Sequence, residues 1–291
     1  MYDIKALYEA ETVPQAAALL QEHPQARIIA GGTDVLIRIR EGRLAGCELV
    51  SIRKLDELRG ISLDPDETLR IGPLTSFSRI TRDPLIQRHI AALSHAADQV
   101  GGPQIRNAGT IGGNICNGVS SADTASTLMA WDAVLEYTGL EGVRSVPIEK
   151  HYRDAGKTAL NHDELLTAIL IPKQRYEGYY GHYIKYALRN ALDIAILGCS
   201  ANVRLSSHTI EDVRISFGVA GPVPLRIRET EHLLRGKPVN QETIAIAGGA
   251  SRSEVNPRSS WRASREFRLH LAEELTKRAL KQAILNAGGS L

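Results

Sequence analysis

The sequence RNAGTIGGNICNG, from Arg106 to Gly118, contains four glycines and three asparagines but only one charged side chain. A glycine pair such as Gly112-Gly113 removes side chains where the backbone comes close to another group. A second glycine pair, Gly31-Gly32, lies earlier in the chain, in the stretch RIIAGGTDVLI. What approaches these two pairs determines both how the chain packs and what it can bind.

The composition is typical of a globular protein that binds neither nucleic acid nor a membrane. Apolar residues make up 43% of the 291 residues and charged residues 23%, which is ordinary for a folded protein. The length indicates two domains, or one domain with sub-lobes. Lys and Arg total 35 against 33 Asp and Glu, and the resulting net charge gives no field that attracts nucleic acid or a lipid surface.

The sequence predicts a cytoplasmic protein. No apolar run is long enough for a transmembrane helix, and the first residues lack the apolar segment of a secretory signal. Three isolated cysteines, Cys47, Cys116 and Cys199, have the spacing of neither a disulfide framework nor a zinc or iron–sulfur site. We therefore expect a reducing compartment, no metal in this chain, and a small buried thiol at Cys116.

Helices and short strands alternate in the N-terminal part. Thr12 is predicted to cap a helix, and residues 27–30 are predicted to form a buried strand that ends at a glycine turn. A helix is expected to follow, from Thr33 or Asp34 to Arg40. Residues 85–100 have continuous helical spacing, and a further helix is predicted from Ala122 to Ala133.

A domain boundary is predicted between Pro172 and Tyr183, where a tyrosine- and glycine-rich segment has the composition of an exposed connection. Two antiparallel strands are expected beyond it, joined by a turn at Ser206-Ser207. A long helix is predicted to start near Ser260 and to have its C-cap at Gly288. The apolar stripe of this helix comprises Phe267, Leu271, Leu275, Leu280 and Ile284.

The stretch IIAGGTDV has the order of strand, glycine turn and helix start that suits a phosphate group. Backbone amides in such a turn form a concave anion site, and a helix start adds a partial positive charge. A plain turn capped by Asp34 is the other interpretation of this stretch taken alone. Two glycine segments from one domain can grip a dinucleotide from both sides, which favours ligand binding for the pair.

The common nucleotide-binding motifs are absent. No G-x-G-x-x-G follows a strand, so the sequence does not support the usual Rossmann site. Gly156-Lys157-Thr158 resembles the end of a P-loop, but His151 stands where that motif requires a glycine. We therefore interpret this segment as a plain loop.

Lys185 stands in YIKYALRNALDIAI, with Arg189 and Asp193 following at four-residue steps. On a helix, this spacing would place the three charges on one solvated face. On a strand that enters a loop, Lys185 would instead reach a ligand. The spacing alone leaves both interpretations open.

Five stretches together resemble a known family. IIAGGTDV, RNAGTIGGNICNG followed by SADTAS, IKYALRNALDIA and FGVAGPVPLR occur in the order found in the FAD-binding (medium) subunits of the xanthine dehydrogenase and molybdenum hydroxylase family. The resemblance implies an α+β fold, with a two-lobed FAD-binding domain of the vanillyl-alcohol oxidase and p-cresol methylhydroxylase type. A smaller α/β C-terminal domain is expected to follow. The implied ranges are 1–175 and 180–288.

The same resemblance implies a site for non-covalent FAD, with no catalytic side chain and no metal ligand in this chain. Asp123 is expected to hold the adenosine side, the backbone of Leu166 to lie near the adenine, and Lys185 and Ile194 to lie by the isoalloxazine ring. Val100 stands where animal relatives have a phenylalanine on the flavin, so the cover of the ring is expected to differ. The residues implied at the site are Arg27, Ile28, Ile29, Ala30, Gly31, Gly32, Thr33, Asp34, Gly109, Thr110, Ile111, Gly112, Gly113, Asn114, Asp123, Leu166, Lys185 and Ile194.

The function that the resemblance implies is electron transfer within a larger enzyme. Electrons would come from 2Fe-2S clusters on a small partner subunit and leave to NAD or another acceptor, and molybdopterin would sit on a large partner subunit. The assembly would be a heterotrimer or its dimer. Two alternatives remain open, a self-contained flavin reductase or oxidase of the same fold and a cofactor-free assembly subunit. The sequence does not identify the substrate of the complex.

Overall fold

The structure is a computed structural model that describes residues 2–291. Its first lobe is a small parallel sheet with two helices. Its sheet has the order β1-β3-β2. The Thr12 hydroxyl caps the first helix by accepting from the Gln15 amide at 3.2 Å, as predicted. The predicted burial of the strand at 27–30 is wrong, because β2 lies at the sheet edge with Arg27 exposed. The elements are β1 (Ile4–Glu9), α1 (Val13–Glu22), β2 (Arg27–Ile29), α2 (Val35–Arg40) and β3 (Cys47–Ser51).

The second lobe packs a run of short helices against an antiparallel sheet of order β4-β5-β10-β6-β7. Its strands are β4 (Ile61–Leu63), β5 (Leu69–Ile71), β6 (Val134–Gly139), β7 (Gly142–Pro147), β8 (Tyr152–Asp154), β9 (Lys157–Thr158) and β10 (Leu165–Ile171). Its helices are α3 (Phe77–Arg82), α4 (Pro84–His89), α5 (Ala91–Asp98), α6 (Pro103–Ala108), α7 (Ile111–Cys116) and α8 (Asp123–Ala130). Strands β8 and β9 form a separate hairpin.

Two predictions for the second lobe are wrong. The single helix expected over 85–100 is two helices, because Ile90 leaves the helical conformation (φ −142°, ψ 50°) while its side chain stays fully buried. The second glycine segment, expected as a loop, begins the short helix α7, and Thr110 caps that helix. The predicted helix from Ala122 is present as α8.

The C-terminal domain is an antiparallel sheet of order β11-β12-β13-β14 with helices packed on one face. The predicted hairpin is confirmed, with its turn between Ser206 and Thr209. The connection between Pro172 and Tyr183 is exposed in part, as expected, at 174–175 and 177–178, whereas a helical turn and the start of β11 bury Tyr176 and Tyr179. The elements are α9 (Lys173–Tyr176), β11 (Tyr180–Tyr186), β12 (Leu197–Ser206), β13 (Thr209–Gly218), β14 (Leu225–Arg226), α10 (Arg228–Leu234), α11 (Gln241–Ser251) and α12 (Arg265–Asn286).

The long helix α12 has the predicted apolar stripe except at its first turn. Leu271, Leu275, Leu280 and Ile284 are buried against the sheet. Phe267 is 39% exposed, because its ring lies over the end of β11 and meets Tyr186 edge-on. The helix ends as predicted, with Gly288 at φ +79° directly after the cap.

The sheet of the C-terminal domain has one apolar face and one polar face, since successive strand residues alternate sides. Cys199 and Val203 of β12 join the apolar core beneath α12. Ser200 and Asn202 of the same strand, and Ser216 of β13, are fully buried on the opposite face, toward α5 and α8. The Ser216 hydroxyl donates to the carbonyl of Ser126 in α8, so the two domains meet across a polar surface.

Asp132, directly after α8, ties the second lobe to the C-terminal domain. Its carboxylate lies 3.1 Å from Arg175 and 3.5 Å from Arg214, and it also pairs with Arg226 and Arg228. The expected α+β architecture, a two-lobed N-terminal domain followed by a smaller C-terminal domain, is thus confirmed. Among residues 2–291, none of the helices combines the length and the apolarity needed to span a bilayer.

Candidate functional site

The first glycine segment forms an open turn between β2 and α2. The backbone amides of Gly31, Gly32, Thr33 and Asp34 donate no hydrogen bond to any group within residues 2–291. Gly32 has φ +76°, a conformation that other residues rarely adopt. The Asp34 side chain makes no capping hydrogen bond, so the plain capped turn is not what forms. Four successive free amides instead make a concave surface suited to an anion.

The two glycine segments touch each other. A Cβ on Gly31 would overlap the carbonyl oxygen of Ala108 and lie 3.0 Å from the Cα of Gly109. A Cβ on Gly112 would lie 2.5 Å from the Cβ of Pro73. Gly31 and Gly112 are therefore explained by close packing of the chain against itself and Gly32 by its positive φ, so Gly113 is the glycine of the two pairs that remains for a ligand.

The first turn of α7 has no free amides. Ile111 donates to the Thr75 carbonyl at 3.1 Å and Gly112 to the Pro73 carbonyl at 2.8 Å, while Gly113 donates to the Thr110 hydroxyl at 3.2 Å. The expectation that both glycine segments offer backbone donors is therefore wrong for the second one. Gly113 is exposed, and only the Thr110 hydroxyl lies within 4 Å of the place where its Cβ would be. It leaves room for a ligand next to the free amides of the first turn.

A buried ion pair lies next to α7. The Lys185 ammonium is 2.9 Å from a carboxylate oxygen of Asp123, and both side chains are 8% exposed. Lys185 also donates to the Gln99 carbonyl at 3.0 Å, and the Tyr183 hydroxyl donates to Asp123 at 2.8 Å. Lys185 lies on the strand β11 with its side chain buried, so the solvated helical face is wrong, and contact of Lys185 with a ligand stays a prediction. Burial raises the pKa of Asp123 above its ordinary value, and Lys185 and Tyr183 oppose that rise.

This ion pair is connected to the glycine helix. Thr124, next to Asp123, donates to the Asn114 side chain of α7 at 2.6 Å. Asn114, Asp123 and Lys185 are thus brought together, and a ligand that reaches one of the charged pair reaches the other. The roles implied for Asp123, on the adenosine side, and for Lys185, by the isoalloxazine ring, stay predictions.

The remaining implied residues lie in three places. Leu166, on β10, has a buried side chain, so only its backbone can face a ligand. Ile194 is 49% exposed in the connection between β11 and β12. The Leu192 amide of that connection donates to the Gly101 carbonyl at 3.1 Å, so the connection passes next to Val100. The others lie along β2 and its turn or along the start of α7: Arg27, Ile28, Ile29 and Ala30, then Gly109, Thr110 and Ile111.

A buried histidine contacts α7 and was not predicted from the sequence. His151 is fully buried, and burial lowers its pKa to about 4. It contacts the Tyr137 hydroxyl through Nδ1 and the carbonyl of Ile115, in α7, through Nε2 at 3.2 Å. A neutral imidazole with its proton on Nε2 satisfies both partners. Cys116 is half-buried and not fully buried as expected, and burial still raises the pKa of its thiol to about 12, which disfavours a reactive thiolate.

Two further sequence interpretations can be compared with the structure. Gly156-Lys157-Thr158 forms the tip of the β8–β9 hairpin, where the Gly156 amide donates to the Gly118 carbonyl at 2.9 Å, so it is not a P-loop. Tyr183 and Gln99 complete the surroundings of the ion pair and were missed. The period-two spacing of Tyr183 and Lys185 on one strand face was a signal that could have identified Tyr183.

Comparisons with known proteins match the whole length of this arrangement. Residues 2–174 match the family described as the FAD binding domain in molybdopterin dehydrogenase, and residues 182–283 match the CO dehydrogenase flavoprotein C-terminal domain. The xanthine dehydrogenase FAD-binding subunit of Escherichia coli O157:H7 is 44% identical over 291 residues, 100% of both chains. The nicotinate dehydrogenase FAD-subunit of Eubacterium barkeri is 32% identical over 243 residues, 81% of each chain.

A solved structure has the same fold. The carbon monoxide dehydrogenase of Hydrogenophaga pseudoflava that lacks the Mo-pyranopterin moiety of the molybdenum cofactor contains a chain that superposes with a TM-score of 0.93. The two chains are 28% identical, and the match covers 98% of this chain and 99% of that chain. The order of elements described above is therefore the order found in that protein.

Proposed function

Since the chain belongs to the FAD-binding medium subunits of the molybdenum hydroxylase family, we propose that it holds FAD non-covalently and passes electrons from a partner subunit to NAD. The observation that carries the proposal is the turn at residues 31–34, whose four amides are free and which packs against Ala108 and Gly109 of the second glycine segment. A pyrophosphate carries negative charge and oxygen acceptors, and the free amides of the turn have no such acceptor within the chain. Bound FAD supplies the redox chemistry.

The residues proposed to hold the cofactor are those implied by the resemblance, at 27–34, 109–114, 123, 166, 185 and 194, and they have different tasks. The free amides of 31–34 bind and orient the diphosphate. Gly31 lets the two segments pack together and Gly112 lets α7 pack against Pro73, because larger residues would not fit at either position. Asp123 offers carboxylate oxygens to ligand hydroxyl groups. Lys185 is held by Asp123 and the Gln99 carbonyl, which fixes its ammonium in position and largely neutralises its charge.

The partners and the acceptor form part of the same proposal. We place 2Fe-2S clusters on a small partner subunit and molybdopterin on a large one, with NAD as the acceptor and the cytoplasm as the compartment. Domain limits of 1–175 and 180–288 are proposed, supported by the family matches at 2–174 and 182–283. A xanthine-type substrate for the complex is supported by the relative at 44% identity.

Gly113 gives the sharpest test of the cofactor site. Gly113→Val adds a branched side chain where only the Thr110 hydroxyl is near, and valine costs no more than glycine within a helix. We expect the purified variant to lose the flavin absorbance while keeping its circular dichroism and urea midpoint. Gly249→Val is the matched control, because Gly249 is also an exposed helical glycine with open space around it, far along the chain in α11.

Four outcomes would contradict the proposal. Stoichiometric FAD in Gly113→Val, or equal FAD loss in Gly249→Val, would remove the assignment of α7 to the site. A colourless wild-type chain would favour a cofactor-free assembly subunit. Oxidation of xanthine by the pure chain without other subunits would favour a self-contained enzyme, whereas slow NADH oxidation with an artificial acceptor is expected.

A further inference from the structure

One carboxylate organises the connection between β11 and β12, residues 187–196, which we call the Asp193 loop. One oxygen of Asp193 accepts hydrogen bonds from the amides of Leu188 at 2.9 Å and Arg189 at 3.0 Å. The other oxygen accepts from the Ile194 amide at 2.9 Å. Burial opposes the charge of Asp193, whose side chain is 9% exposed, yet the three amides keep its pKa below the ordinary value. Asp193 therefore accepts as a carboxylate, which makes these hydrogen bonds strong.

The side chains of the Asp193 loop contribute little to its shape. Leu188, Leu192 and Ile194 are 61%, 60% and 49% exposed, so none of the three is anchored in the core. Leu192 has φ +54°, a left-handed conformation that costs energy in a residue with a Cβ. Such a conformation persists only where the surroundings hold it in place. The shape of the loop therefore depends on the hydrogen bonds to Asp193.

The Asp193 loop reaches the N-terminal domain directly before α6. The Leu192 amide donates to the Gly101 carbonyl at 3.1 Å, and the Leu192 side chain lies 2.9 Å from the place where a Cβ on Gly102 would be. The Gln99 carbonyl, two residues before Gly101, accepts from Lys185. The loop thus closes on the segment 99–102 beside the buried ion pair.

The helix α6 connects this contact with the turn of free amides. Its last residue, Ala108, packs against Gly31 of that turn. The helix has six residues, a length of about 9 Å at 1.5 Å per residue. The Asp193 loop and the free amides therefore lie at opposite ends of one short helix, a separation that a single dinucleotide can span.

We propose that Asp193 is a positioning residue that holds the Asp193 loop closed against residues 99–102, so that the loop covers the flavin end of bound FAD and retains the cofactor. This inference rests on the proposed function, because it takes the ligand to be FAD. The exposed aliphatic side chains of Leu192 and Ile194 become covered when the ring binds, which favours the closed loop. Asp193 itself does not touch the cofactor and acts through the backbone of the loop.

The affinity of the purified chain for FAD, measured from the free FAD in ultrafiltrates, tests the role of Asp193. Asp193→Ala removes all three acceptor contacts. If the loop then adopts its closed conformation about a tenth of the time, the apparent dissociation constant rises about tenfold. Asp193→Asn keeps one acceptor oxygen and should give a value between those of the wild type and Asp193→Ala.

Asp66→Ala is the matched control. The Asp66 carboxylate accepts from the Thr68 amide and the Thr68 hydroxyl, both at 3.0 Å, in the turn between β4 and β5. The control thus removes turn hydrogen bonds of the same kind and should keep the wild-type affinity for FAD. Unchanged affinity in Asp193→Ala, or an equal loss in Asp66→Ala, would overturn the inference.

Amide hydrogen exchange shows whether the loop meets the cofactor. In the wild-type chain, FAD should slow exchange in residues 187–196 by about tenfold, and in Asp193→Ala the slowing should be smaller. Equal exchange of this segment with and without FAD would show that the inference is wrong, and stoichiometric FAD in the same sample would leave the proposed function standing. A wild-type chain that binds no FAD would overturn both proposals together.

Discussion

Replacing Lys185 by methionine tests the buried ion pair beside α7. The substitution removes the ammonium but keeps an unbranched side chain of similar length. It leaves the Asp123 carboxylate with the Tyr183 hydroxyl as its remaining partner, in a place where the side chain is only 8% exposed. A buried charge without its counterion is costly, so the variant is expected to be less stable than the wild type at neutral pH.

The size of the loss follows from the geometry. At 2.9 Å, a pair of unit charges attracts with about 6 kcal/mol at an effective dielectric constant of about 20. Desolvation of both groups offsets part of this, and removing one partner of a buried pair costs about 3–5 kcal/mol. Asp123 can avoid the unpaired charge by binding a proton. From the ordinary value of 3.8, protonation at pH 7 costs about 4 kcal/mol, since one pKa unit is worth about 1.4 kcal/mol.

The loss should depend on pH in a defined direction. The pKa of Asp123 is raised in the folded state, and the loss of Lys185 removes an effect that opposes this rise. The folded variant therefore binds more protons than the unfolded chain above pH 3.8, and its stability falls as the pH rises. At pH 5, protonation costs at most about 2 kcal/mol by the same conversion, so the loss should be about half of that at pH 7.

Urea unfolding at pH 5 and pH 7 measures this loss. Lys54→Met is the matched control, because Lys54 and Glu9 form a pair at 3.0 Å with more than half of each side chain exposed, and exposed pairs contribute little. The double variant Lys185→Met/Asp123→Asn should recover most of the loss, since the unpaired charge is gone. The reasoning is refuted if Lys185→Met costs no more than Lys54→Met, or if the double variant is less stable than the single one.

Three further predictions concern other buried or exposed groups. The pKa of His151 is lowered from 6.5 to about 4 in the folded chain. Between these two values the unfolded chain binds more protons than the folded chain, so the free energy of unfolding should fall by about 3 kcal/mol as the pH drops from 6.5 to about 4. His151→Gln should flatten this fall in urea titrations. Glu231→Gln should lower the free energy of unfolding by about 1.5–3 kcal/mol, measured by calorimetry, because the buried Glu231 pairs with Arg226 at 2.6 Å while Asp132 remains as a counterion of Arg226. Lys157→Ala should change neither FAD content nor ATP binding, because Lys157 lies in a hairpin. If the wild type bound ATP and the variant did not, this prediction would be contradicted.

Elements with local signals were predictable from the sequence. The Thr12 cap, the hairpin at Ser206 and the buried stripe of α12 depend on residues within a few positions of each other, so spacing and residue type were sufficient. The break at Ile90 was not predictable in this way, because it depends on how that side chain enters the core of the second lobe.

The candidate site was predictable in its residues but not in its contacts. The glycine pairs identified where the backbone comes close to another group, yet Gly112 is required by Pro73, a residue distant in sequence. Whether an amide is free depends on similar long-range partners, such as the Thr75 carbonyl that occupies Ile111. Lys185 likewise finds its counterion 62 positions earlier, in Asp123. Spacing within one segment contains no information about such partners.

The polar face of the C-terminal sheet affects how the protein can be divided. If the two domains were produced as separate chains, Ser200, Asn202 and Ser216 would meet water as hydroxyl and amide groups, and water would supply hydrogen bonds that Ser200 and Asn202 lack within the chain. A substitute domain would have to match the hydrogen bond of Ser216 and the ion pairs of Asp132, but no partner for Ser200 or Asn202. The chain is therefore suited to recombination at this junction, both in engineered chimeras and in the gene fusions by which multi-domain enzymes arise.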